Sequence, residues 1–361
     1  MSSQTEIRIA ARGPQTEWHD DLAAIAPEWD ELADRTGAAP FLRPGWISAW
    51  RAAFGGTPRI VAVREGGELR AVLPLVKRGV ALASAANSHT PVTGAVADDP
   101  SHVHQIARRV VAAHAARTDL VFLDPRDPLL AELRAAALAH RHSTIERVTD
   151  RQPCVQLSGS FDDYEAGLAR KHRKELRRLQ RRLEDEGSVT FEFADGRERL
   201  DTLLDEGFAI EGSGWKTEAG TAINAVPHER RFYTEIARWA ASRGWLRLAF
   251  LRLDGRPLAF DFCLEAGGAF YALKGGYDIE YRRFGPGSLL TVESLRRAFE
   301  AGLESYEFLG ADDAYKLQWT STVRERVRLQ IFPRSIAGRV QDAAWRFGRP
   351  LVKRAQRRLQ R

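Results

Sequence analysis

Three consecutive strand-like segments constrain the fold of this chain more than any other feature of its sequence. WLRLAFLRLDG, RPLAFDFCLEAGG and AFYALKGGYD occupy residues 245–278, and the glycines at their junctions indicate tight turns. A helix-like segment, SLLTVESLRRAFEAG, and a further strand-like segment, SYEFLG, follow them. Hairpin-linked strands that are followed by a helix and another strand indicate a mixed sheet with flanking helices.

The first half of the chain has a similar order of segments. WDELADRTG and PFLRPGWISAWRAAFG, which are helix-like, precede two strand-like segments that Gly66 and Gly67 join in a hairpin signal. A helix, a strand, a second helix and a short strand, CVQLS, come next. A length of 361 residues suggests two domains of ordinary size. We therefore expect an α/β protein with domains at residues 1–157 and 158–335, and a basic amphipathic helix or tail at 336–361.

The basic charge of the chain is concentrated in two segments. The whole chain carries a net charge of +6, residues 170–182 carry +7 and residues 334–361 carry +8, which leaves −9 for the rest. This distribution indicates a mildly acidic body with two basic segments, and it argues against a generally basic protein.

The sequence gives little sign of secretion, membrane insertion, disulfides or metal binding. The first residues contain no apolar signal region, and no window resembles a membrane span, so we expect a cytoplasmic protein. Cys154 and Cys263 are too few for a disulfide framework and lack metal-ligand spacing. The histidines have no neighbouring cysteine or carboxylate pattern, so we expect no metal.

A glycine-containing loop between a strand and a helix carries the most chemical information. Glycines let the backbone approach a bulky anion, and the amides of a first helical turn point at such an anion. The loop is therefore a candidate diphosphate site, although a glycine turn that only caps a helix has the same spacing. The candidate anion-binding residues, the last of which is also a candidate N-cap, are Arg282, Arg283, Gly285, Gly287 and Ser288.

The order strand, Arg-x-x-Gly-x-Gly loop, helix and strand resembles the pyrophosphate-binding motif of the GNAT acyltransferase superfamily. Three segments of the second half are similar to motifs of the CelD/BcsL-like branch of this superfamily: GWKTEAGTAI, LKGGYDIEYRRFGPGSLL and LGADDAYKLQW. That branch is a distant relative of the Fem peptidoglycan aminoacyl transferases. In the first half, WDELADRTGAAPFLRPGWISAW and LRAVLPLV fit the same branch. The resemblance covers most of residues 28–335, and it departs where many relatives carry Ser-Pro-Gly, since this loop reads Phe-Gly-Pro-Gly.

The resemblance implies two tandem GNAT-like domains, each with a mixed, mostly antiparallel sheet flanked by helices. The first half has no Arg-x-x-Gly-x-Gly loop, so we expect a degenerate copy that shapes the substrate groove. The C-terminal domain would take acetyl-CoA or another acyl-CoA and transfer the acyl group to an amine or hydroxyl. Since the branch is associated with cellulose and exopolysaccharide biosynthesis, the expected acceptor is a sugar, a glycan precursor or a small amine.

The strand RPLAFDFCLE contains a carboxylate among apolar residues. Alternation places Asp261 on one sheet face with Ala259 and Cys263, and Leu258 on the other face. A buried carboxylate is costly without a partner, so Asp261 is the candidate for the general base that direct attack on a thioester needs. Lys274, in the next strand, is a candidate partner and substrate-binding residue. The alternative is a buried aspartate that binds a backbone amide or an arginine.

Further candidates lie close to the loop and in two other segments. Tyr277 precedes the loop, at a position suited to protonating a leaving thiolate. In AYKLQW, Lys316 is a candidate to neutralise an oxyanion and Tyr315 to bind substrate. Trp215 and Lys216 lie in a glycine-flanked segment that suits stacking on a sugar and a hydrogen bond. Packing or surface positions are the alternatives for each of them.

The basic stretch RKHRKELRRLQRR, residues 170–182, predicts a two-sided helix within one long helical segment. Its apolar stripe is formed by Leu168, His172, Leu176, Leu179 and Leu183. A solvated face is the plain interpretation of its basic residues. The functional interpretation is that Arg173 and Arg177 bind an acidic ligand, such as a phosphorylated acceptor or the CoA phosphates. Nucleic acid ranks third because the stretch lacks interleaved aromatic residues.

Several alternatives stay open from the sequence. A Fem-type transferase that uses aminoacyl-tRNA, with the basic helix on the RNA, is the second functional hypothesis, and a non-catalytic scaffold is the third. The tail allows either a docked helix or peripheral contact with an anionic membrane. Its apolar residues at helical intervals, interrupted by Gly348 and Pro350, are Ile336, Val340, Ala344, Phe347, Leu351, Ala355 and Leu359.

Overall fold

The computed structural model describes residues 13–213 and 223–348 of the chain. The strands within these ranges are β1 Gln15–His19, β2 Thr57–Pro58, β3 Ile60–Glu65, β4 Glu68–Leu73, β5 Leu75–Arg78, β6 Ala81–Ser84, β7 Val96–Ala97, β8 Arg117–Leu123, β9 Ser143–Gln156, β10 Val189–Ala194, β11 Leu246–Leu253, β12 Arg256–Ala266, β13 Ala269–Tyr277, β14 Ser305–Glu307 and β15 Val323–Phe332. The α-helices are α1 Leu22–Arg35, α2 Pro44–Phe54, α3 Pro100–Val111, α4 Pro128–Ala139, α5 Phe161–Gly167, α6 Arg170–Glu184, α7 Leu200–Glu211, α8 Pro227–Ser242, α9 Pro286–Glu300 and α10 Ile336–Ala343.

The described strands form one sheet of eleven strands and one of four. The larger sheet has the order β10-β11-β12-β13-β14-β9-β15-β8-β6-β5-β2, and the smaller has the order β1-β3-β4-β7. Neighbours are antiparallel except for two parallel pairs, β6 with β8 and β13 with β14. The predicted class, an α/β fold with mixed, mostly antiparallel sheets and flanking helices, is confirmed. The predicted hairpin at Gly66 and Gly67 joins β3 to β4.

The two halves of the chain exchange strands at the centre of the larger sheet. β9 belongs to the first half but pairs with β14, whereas β15 belongs to the second half but pairs with β8. β9 and β15 also pair with each other along most of their length. Neither half therefore completes its sheet alone. The sequence predicted only a short strand at CVQLS because the first part of β9, which has 14 residues, is polar and largely exposed.

Helices cover both faces of the second half. On one face, α7 and α8 share a core with α1 and α2, which includes the buried Trp29, Trp46 and Phe232. A Cβ atom at Gly45 in α2 would overlap the Trp239 indole in α8, so these helices from different halves are in close contact. The opposite face is covered by α6 and α9. α3 and α4 form a separate core with strands of the first half.

The segment predicted as one long helix is divided into α5 and α6. The backbone is extended at Leu168 and Ala169, with ψ of 153° and 131°, which breaks the helical hydrogen bonding. Leu168 nevertheless packs in the same core as Leu176. The apolar stripe thus continues across the break, which explains why periodicity alone indicated a single helix.

Strand β12 departs from strict alternation near its start. The register with β11 shifts between Leu251 and Arg252, which leaves Leu258 as an extra residue in β12. Leu258 therefore packs in the same core as Ala259, on the α6 and α9 side. The sequence predicted Leu258 on the face of Phe260, and the bulge is the reason that this prediction is wrong.

The described part of the C-terminal tail lies against the larger sheet. After α10, the Trp345 indole lies 4.9 Å from the Arg117 guanidinium, 5.6 Å from that of Arg147 and 4.8 Å from that of Arg328. This part of the tail is therefore docked. Across residues 13–213 and 223–348, no helix is both long and apolar enough to cross a bilayer.

Candidate functional site

A slot opens where the parallel strands β13 and β14 part. The two strands pair only through residues 269–271 and 305–307. β13 then continues to Tyr277, whereas the chain after β14 turns away through Leu309 and Gly310, whose φ angles are +55° and +58°. The resulting cavity of about 700 Å³ lies between residues 272–277 and 308–310. Two smaller depressions, of about 500 and 560 Å³, contain neither the glycine loop nor a strand of this slot.

Asp261 reaches the slot across a glycine. Register places Asp261 of β12 opposite Gly275 of β13, and a Cβ atom at position 275 would overlap Asp261 Oδ1. Any larger residue at 275 would therefore stand between the carboxylate and the cavity. The next register shift, between Phe262 and Cys263, leaves Leu273 as a bulged residue that also lines the slot. β-Bulges commonly redirect side chains and amides beside functional sites.

The glycine loop closes one end of the slot. Arg282, Gly285, Gly287 and Ser288 line the cavity, and Gly285 caps α9 with a φ of +58°. Ser288, predicted as the N-cap, lies instead in the first turn, because the helix already begins at Pro286. A non-glycine residue at position 285 would strain the left-handed backbone there.

Several donors of this loop are available to a ligand. Among the described residues, no acceptor takes the Gly287 N–H, and no carboxylate lies within ion-pair distance of the exposed Arg282. These groups sit at the positive end of the α9 dipole, so the arrangement favours an anion.

Helix α6 supports the glycine loop. A Cβ atom at Gly285 would lie only 2.7 Å from Leu179 Cδ1, so the apolar stripe of α6 is packed directly beneath the loop. The Arg182 guanidinium lies 5.4 Å from the Phe284 ring centroid. The basic helix is thus a neighbour of the candidate anion site.

Lys274 lies between two glutamates. Its Nζ atom is 3.6 Å from Glu211 Oε1 and 3.7 Å from Glu229 Oε2. Glu211 is fully buried at the end of α7 and accepts a hydrogen bond of 2.9 Å from the Ile223 amide. Register sets Lys274 opposite Phe262, so strand alternation puts it on the face away from Asp261. The predicted pairing of Lys274 with Asp261 stays a prediction, and the two glutamates are contacts of Lys274 that the sequence did not indicate.

A histidine from the first half joins the cluster of Lys274, Glu211 and Glu229. His89 Nε2 lies 3.3 Å from Glu229 Oε1, and Nδ1 lies 3.2 Å from the Tyr233 hydroxyl. The His89 ring stacks on Phe54 at a centroid distance of 5.8 Å. Burial lowers the pKa of His89, against the opposing effect of Glu229. Sequence reasoning missed His89, because the chain positions that meet here are far apart.

Tyrosine side chains surround the Asp261 end of the slot. Tyr277 packs against the loop, since a Cβ atom at Gly287 would lie 3.4 Å from its ring, and its carbonyl accepts a 2.8 Å hydrogen bond from the Ser213 hydroxyl. Tyr306, which sequence reasoning missed, is buried and lines the cavity. Burial raises the pKa of Tyr306, so its phenol stays protonated and can donate a hydrogen bond at neutral pH. Tyr315 is 60% exposed at the cavity edge.

Lys316 is engaged by the loop that follows β14. Its buried ammonium donates to Leu309 O at 2.8 Å and Ala311 O at 2.9 Å, and it lies 3.2 Å from the Asp313 carboxylate. An ammonium has three N–H donors. A substrate oxyanion would have to replace one of these three acceptors. The contacts therefore assign Lys316 to shaping the slot wall, whereas the sequence suggested an oxyanion role.

Other predicted residues lie outside the slot. Arg283 is 3.6 Å from Glu186 and does not line the cavity. Arg173 and Arg177 are on α6, also outside the cavity lining, and Arg177 lies 3.3 Å from Glu165. The predicted substrate-binding residues Trp215 and Lys216 fall outside the described residues.

In the first half, the gap between β6 and β8 that corresponds to the slot is filled. β6 and β8 pair in parallel through residues 81–83 and 117–119. Beyond that pairing, the Thr93 amide donates to Phe122 O at 3.0 Å, and the Thr93 hydroxyl donates to Val121 O. The Val121 amide donates to the Ser84 hydroxyl at 3.2 Å. Residues around Thr93 therefore occupy the place where the second half has its slot.

The described side chains contain no candidate metal centre. Nowhere in residues 13–213 and 223–348 do three or more histidine, cysteine, aspartate or glutamate side chains come together in a way that could hold a metal ion. Both cysteines are buried and free.

The slot and loop occur in a part of the chain that matches a known family. Residues 170–317 match the family model described as an acetyltransferase (GNAT) domain. The matched residues include Asp261, Tyr277, the glycine loop and Lys316. The match supports acyl transfer as the class of reaction. Curated protein sequences give no match to the chain.

Solved structures extend the likeness to nearly the whole chain. FemX is similar with a TM-score of 0.59 and 15% identity, covering 87% of this chain and 96% of that one. The C-terminal domain of a putative lysylphosphatidylglycerol synthetase from Agrobacterium fabrum has a TM-score of 0.58 and 16% identity, covering 90% and 96%. A conserved protein from Bacteroides thetaiotaomicron has a TM-score of 0.56 and 13% identity, covering 88% and 100%. At such identities the likeness shows the fold alone.

Proposed function

We propose that this protein transfers an acyl group from an acyl-CoA, acetyl-CoA in the simplest case, to an amine or hydroxyl acceptor. The observation that carries the proposal is the slot itself, with the Asp261 carboxylate inside it and a glycine loop at one end. A volume of about 700 Å³ is typical of a small-molecule site. The GNAT family match over residues 170–317 supports the same class of reaction.

The donor would enter from the α9 side. Its diphosphate is expected at the Gly287 amide, the Ser288 hydroxyl and the Arg282 guanidinium, where the helix dipole adds positive potential. The pantetheine arm would then extend between β13 and the segment after β14, so that the thioester carbonyl comes to lie near Asp261. Arg283, which lies near Glu186, is not needed for this arrangement.

Asp261 is the proposed general base. As the acceptor nitrogen or oxygen forms its bond to the thioester carbon, Asp261 takes the acceptor proton, and the carbon–sulfur bond then breaks to release the CoA thiolate. The carboxylate is half-buried and lines the cavity. Tyr277 is the proposed donor of a proton to the thiolate.

Backbone groups at the Leu273 bulge are the proposed stabilisers of the oxyanion. Amides held at a bulge beside the slot are preorganised, which is what stabilisation of developing charge requires. The protonated Tyr306 phenol is a second donor at the same end of the cavity. These groups replace Lys316 in that role.

The acceptor would approach from the face of α7 and α8. Glu211, Ser213 and Lys274 line the cavity on that side. These groups can hydrogen-bond a sugar, a glycan precursor or a small amine, as expected for an enzyme of polysaccharide biosynthesis in the CelD/BcsL-like branch. Tyr315 and the segment that contains Trp215 and Lys216 are further candidates for acceptor contacts.

A second candidate is a transferase that uses aminoacyl-tRNA. The observation that favours it is the basic face of α6, where no described carboxylate pairs with Lys171, Lys174 or Arg181. The fold is also that of FemX. Filter binding of tRNA over a salt series tests this candidate, which predicts a steep loss of affinity with salt. A flat salt response would remove it.

Titration with acetyl-CoA, followed by an acceptor screen that detects free CoA thiol, tests the main proposal. We expect saturable donor binding and acceptor-dependent thiol release. Asp261→Asn should retain donor binding and lower kcat/KM by a factor of roughly 10²–10⁴, the usual contribution of a general base. Absence of binding by acetyl-CoA and by longer acyl-CoAs would overturn the proposal. An unchanged rate across the pH range for Asp261→Asn would overturn the assignment of the base alone.

A further inference from the structure

The outward side of α10 is apolar although the helix is docked on the sheet. Ile336 is 85% exposed and Val340 is 61% exposed. Three alanines face outward beside them and are also exposed, namely Ala337, Ala343 and Ala344. An amphipathic helix usually turns such a stripe toward a protein core. Here the stripe faces away from the protein.

The inward contacts fix this orientation. A Cβ atom at Gly338 would overlap the Pro333 carbonyl, so the helix lies tight against the end of β15. Arg117 donates a 3.0 Å hydrogen bond to Gln341 Oε1, and Trp345 lies over three arginines of the sheet. Rotating the helix to bury Ile336 would break all of these contacts.

Basic side chains flank the apolar stripe. Arg334 and Arg339 are exposed, and neither has a carboxylate within ion-pair distance among the described residues. The sequence beyond residue 348 continues the same composition. Its apolar residues are Leu351, Ala355 and Leu359, and its basic residues are Arg349, Lys353, Arg354, Arg357, Arg358 and Arg361.

We propose that the outward face of α10 is a membrane-contact surface that binds anionic phospholipid. Ile336 and Val340 enter the boundary between headgroups and acyl chains, and the flanking arginines bind the lipid phosphates. The charge of this segment argues for lipid and against a second copy of the chain. Residues 334–361 carry a net charge of +8, so a symmetric pairing through this face would bring two such segments together.

Flotation with two kinds of vesicle tests the proposal, one of phosphatidylcholine alone and one of equal parts phosphatidylcholine and phosphatidylglycerol. We expect the full chain to float with the anionic vesicles, and to dissociate as salt is raised. The double variant Ile336→Ser with Val340→Ser should lower the partition coefficient at least tenfold. Leu138→Ser is the matched control, because Leu138 is an apolar residue that is 78% exposed on a different helix, α4.

Charge variants separate this surface from α6. Arg334→Gln with Arg339→Gln should lower partition by about fivefold per residue, the fold-change that corresponds to about 1 kcal/mol for each basic residue near an anionic surface. Lys171→Gln with Lys174→Gln, on α6, should leave partition unchanged. The proposal is overturned if the full chain floats with neither vesicle, or if only the α6 variant loses binding. It is also overturned if sedimentation shows self-association without lipid that Ile336→Ser with Val340→Ser abolishes.

Discussion

The carboxylate of Asp261 occupies the space that a side chain at position 275 would fill. Gly275 is therefore needed for its lack of a side chain and not for its backbone conformation. Without a Cβ atom at 275, the carboxylate of Asp261 on β12 can extend past β13. The carboxylate thereby lines the slot.

Replacing Gly275 should damage activity through Asp261. In Gly275→Ala, the new methyl group would displace the carboxylate, so we expect kcat/KM to fall as far as it does in Asp261→Asn. The overlap should also lower the free energy of unfolding by about 1–3 kcal/mol, the typical cost of overpacking. Steady-state kinetics and urea denaturation measure the two effects.

A double-mutant cycle provides the control. If the cost of Gly275→Ala arises from the Asp261 carboxylate, most of that cost should disappear in an Asp261→Ala background, with a coupling energy of about 1–3 kcal/mol. Additive losses in the cycle would mean that position 275 is small for another reason. Contact with the Phe260 carbonyl would then be the explanation, since a Cβ atom at 275 would approach that oxygen to 3.1 Å.

The glycine loop offers a matched pair of glycines at the two ends of α9. Gly285 and Gly302 have φ of +58° and +67°, so alanine should cost both a similar conformational strain. Only at Gly285 would the new Cβ meet a neighbour, Leu179 at 2.7 Å, whereas nothing lies within 4 Å at Gly302. We expect Gly285→Ala to raise the dissociation constant for acetyl-CoA roughly tenfold, equivalent to about 1.4 kcal/mol, and Gly302→Ala to leave it unchanged. Equal effects of the two variants in calorimetric titration would remove the loop from the donor site.

Much of the candidate site was predictable because its signals are local in sequence. Glycines before a helix and a lone carboxylate in an apolar strand indicated the loop and Asp261, and the structure brings both to one cavity. The burial of Lys316 was not predictable in this way, because its acceptors are carbonyls fixed by the turn at Leu309. His89 was equally hidden, since it meets Glu229 only after the two halves pack together.

The fold shows the same division between local and long-range information. The hairpins and helices follow from turn residues and periodicity, and these were predicted. The exchange of β9 and β15 depends on pairing between segments that lie more than 150 residues apart, for example Ser143 with Phe332. No local pattern encodes such a pairing. The polar first part of β9 conceals it further, because strand prediction relies on apolar alternation.

Removing the Lys316 ammonium should mainly affect stability. Lys316→Met keeps the apolar stem but leaves the carbonyls of Leu309 and Ala311 without their donor, which should lower the free energy of unfolding by about 1–3 kcal/mol. Lys316→Arg should restore part of that loss. Thermal denaturation and kinetics at saturating donor distinguish this role from a catalytic one. A fully stable Lys316→Met protein with a reduced kcat would restore Lys316 as an oxyanion stabiliser.

His89 should make stability depend on pH in mildly acidic solution. Burial holds the pKa of His89 below its ordinary value of 6.5, with Glu229 opposing the shift and Lys274 and His228 adding to it, while Tyr233 faces its other nitrogen.

Below the ordinary pKa, the unfolded chain takes up a proton that the folded site resists. The folded state should therefore lose stability as the pH falls from about 7.5 to about 5, until the folded site itself is protonated. In His89→Gln this contribution is absent, so the difference in unfolding free energy between the native chain and the variant should shrink as the pH falls. Other buried histidines are present in both proteins and cancel. Urea denaturation across this range measures the difference, and a difference that stays constant would mean that His89 is not held neutral at the junction of the two halves.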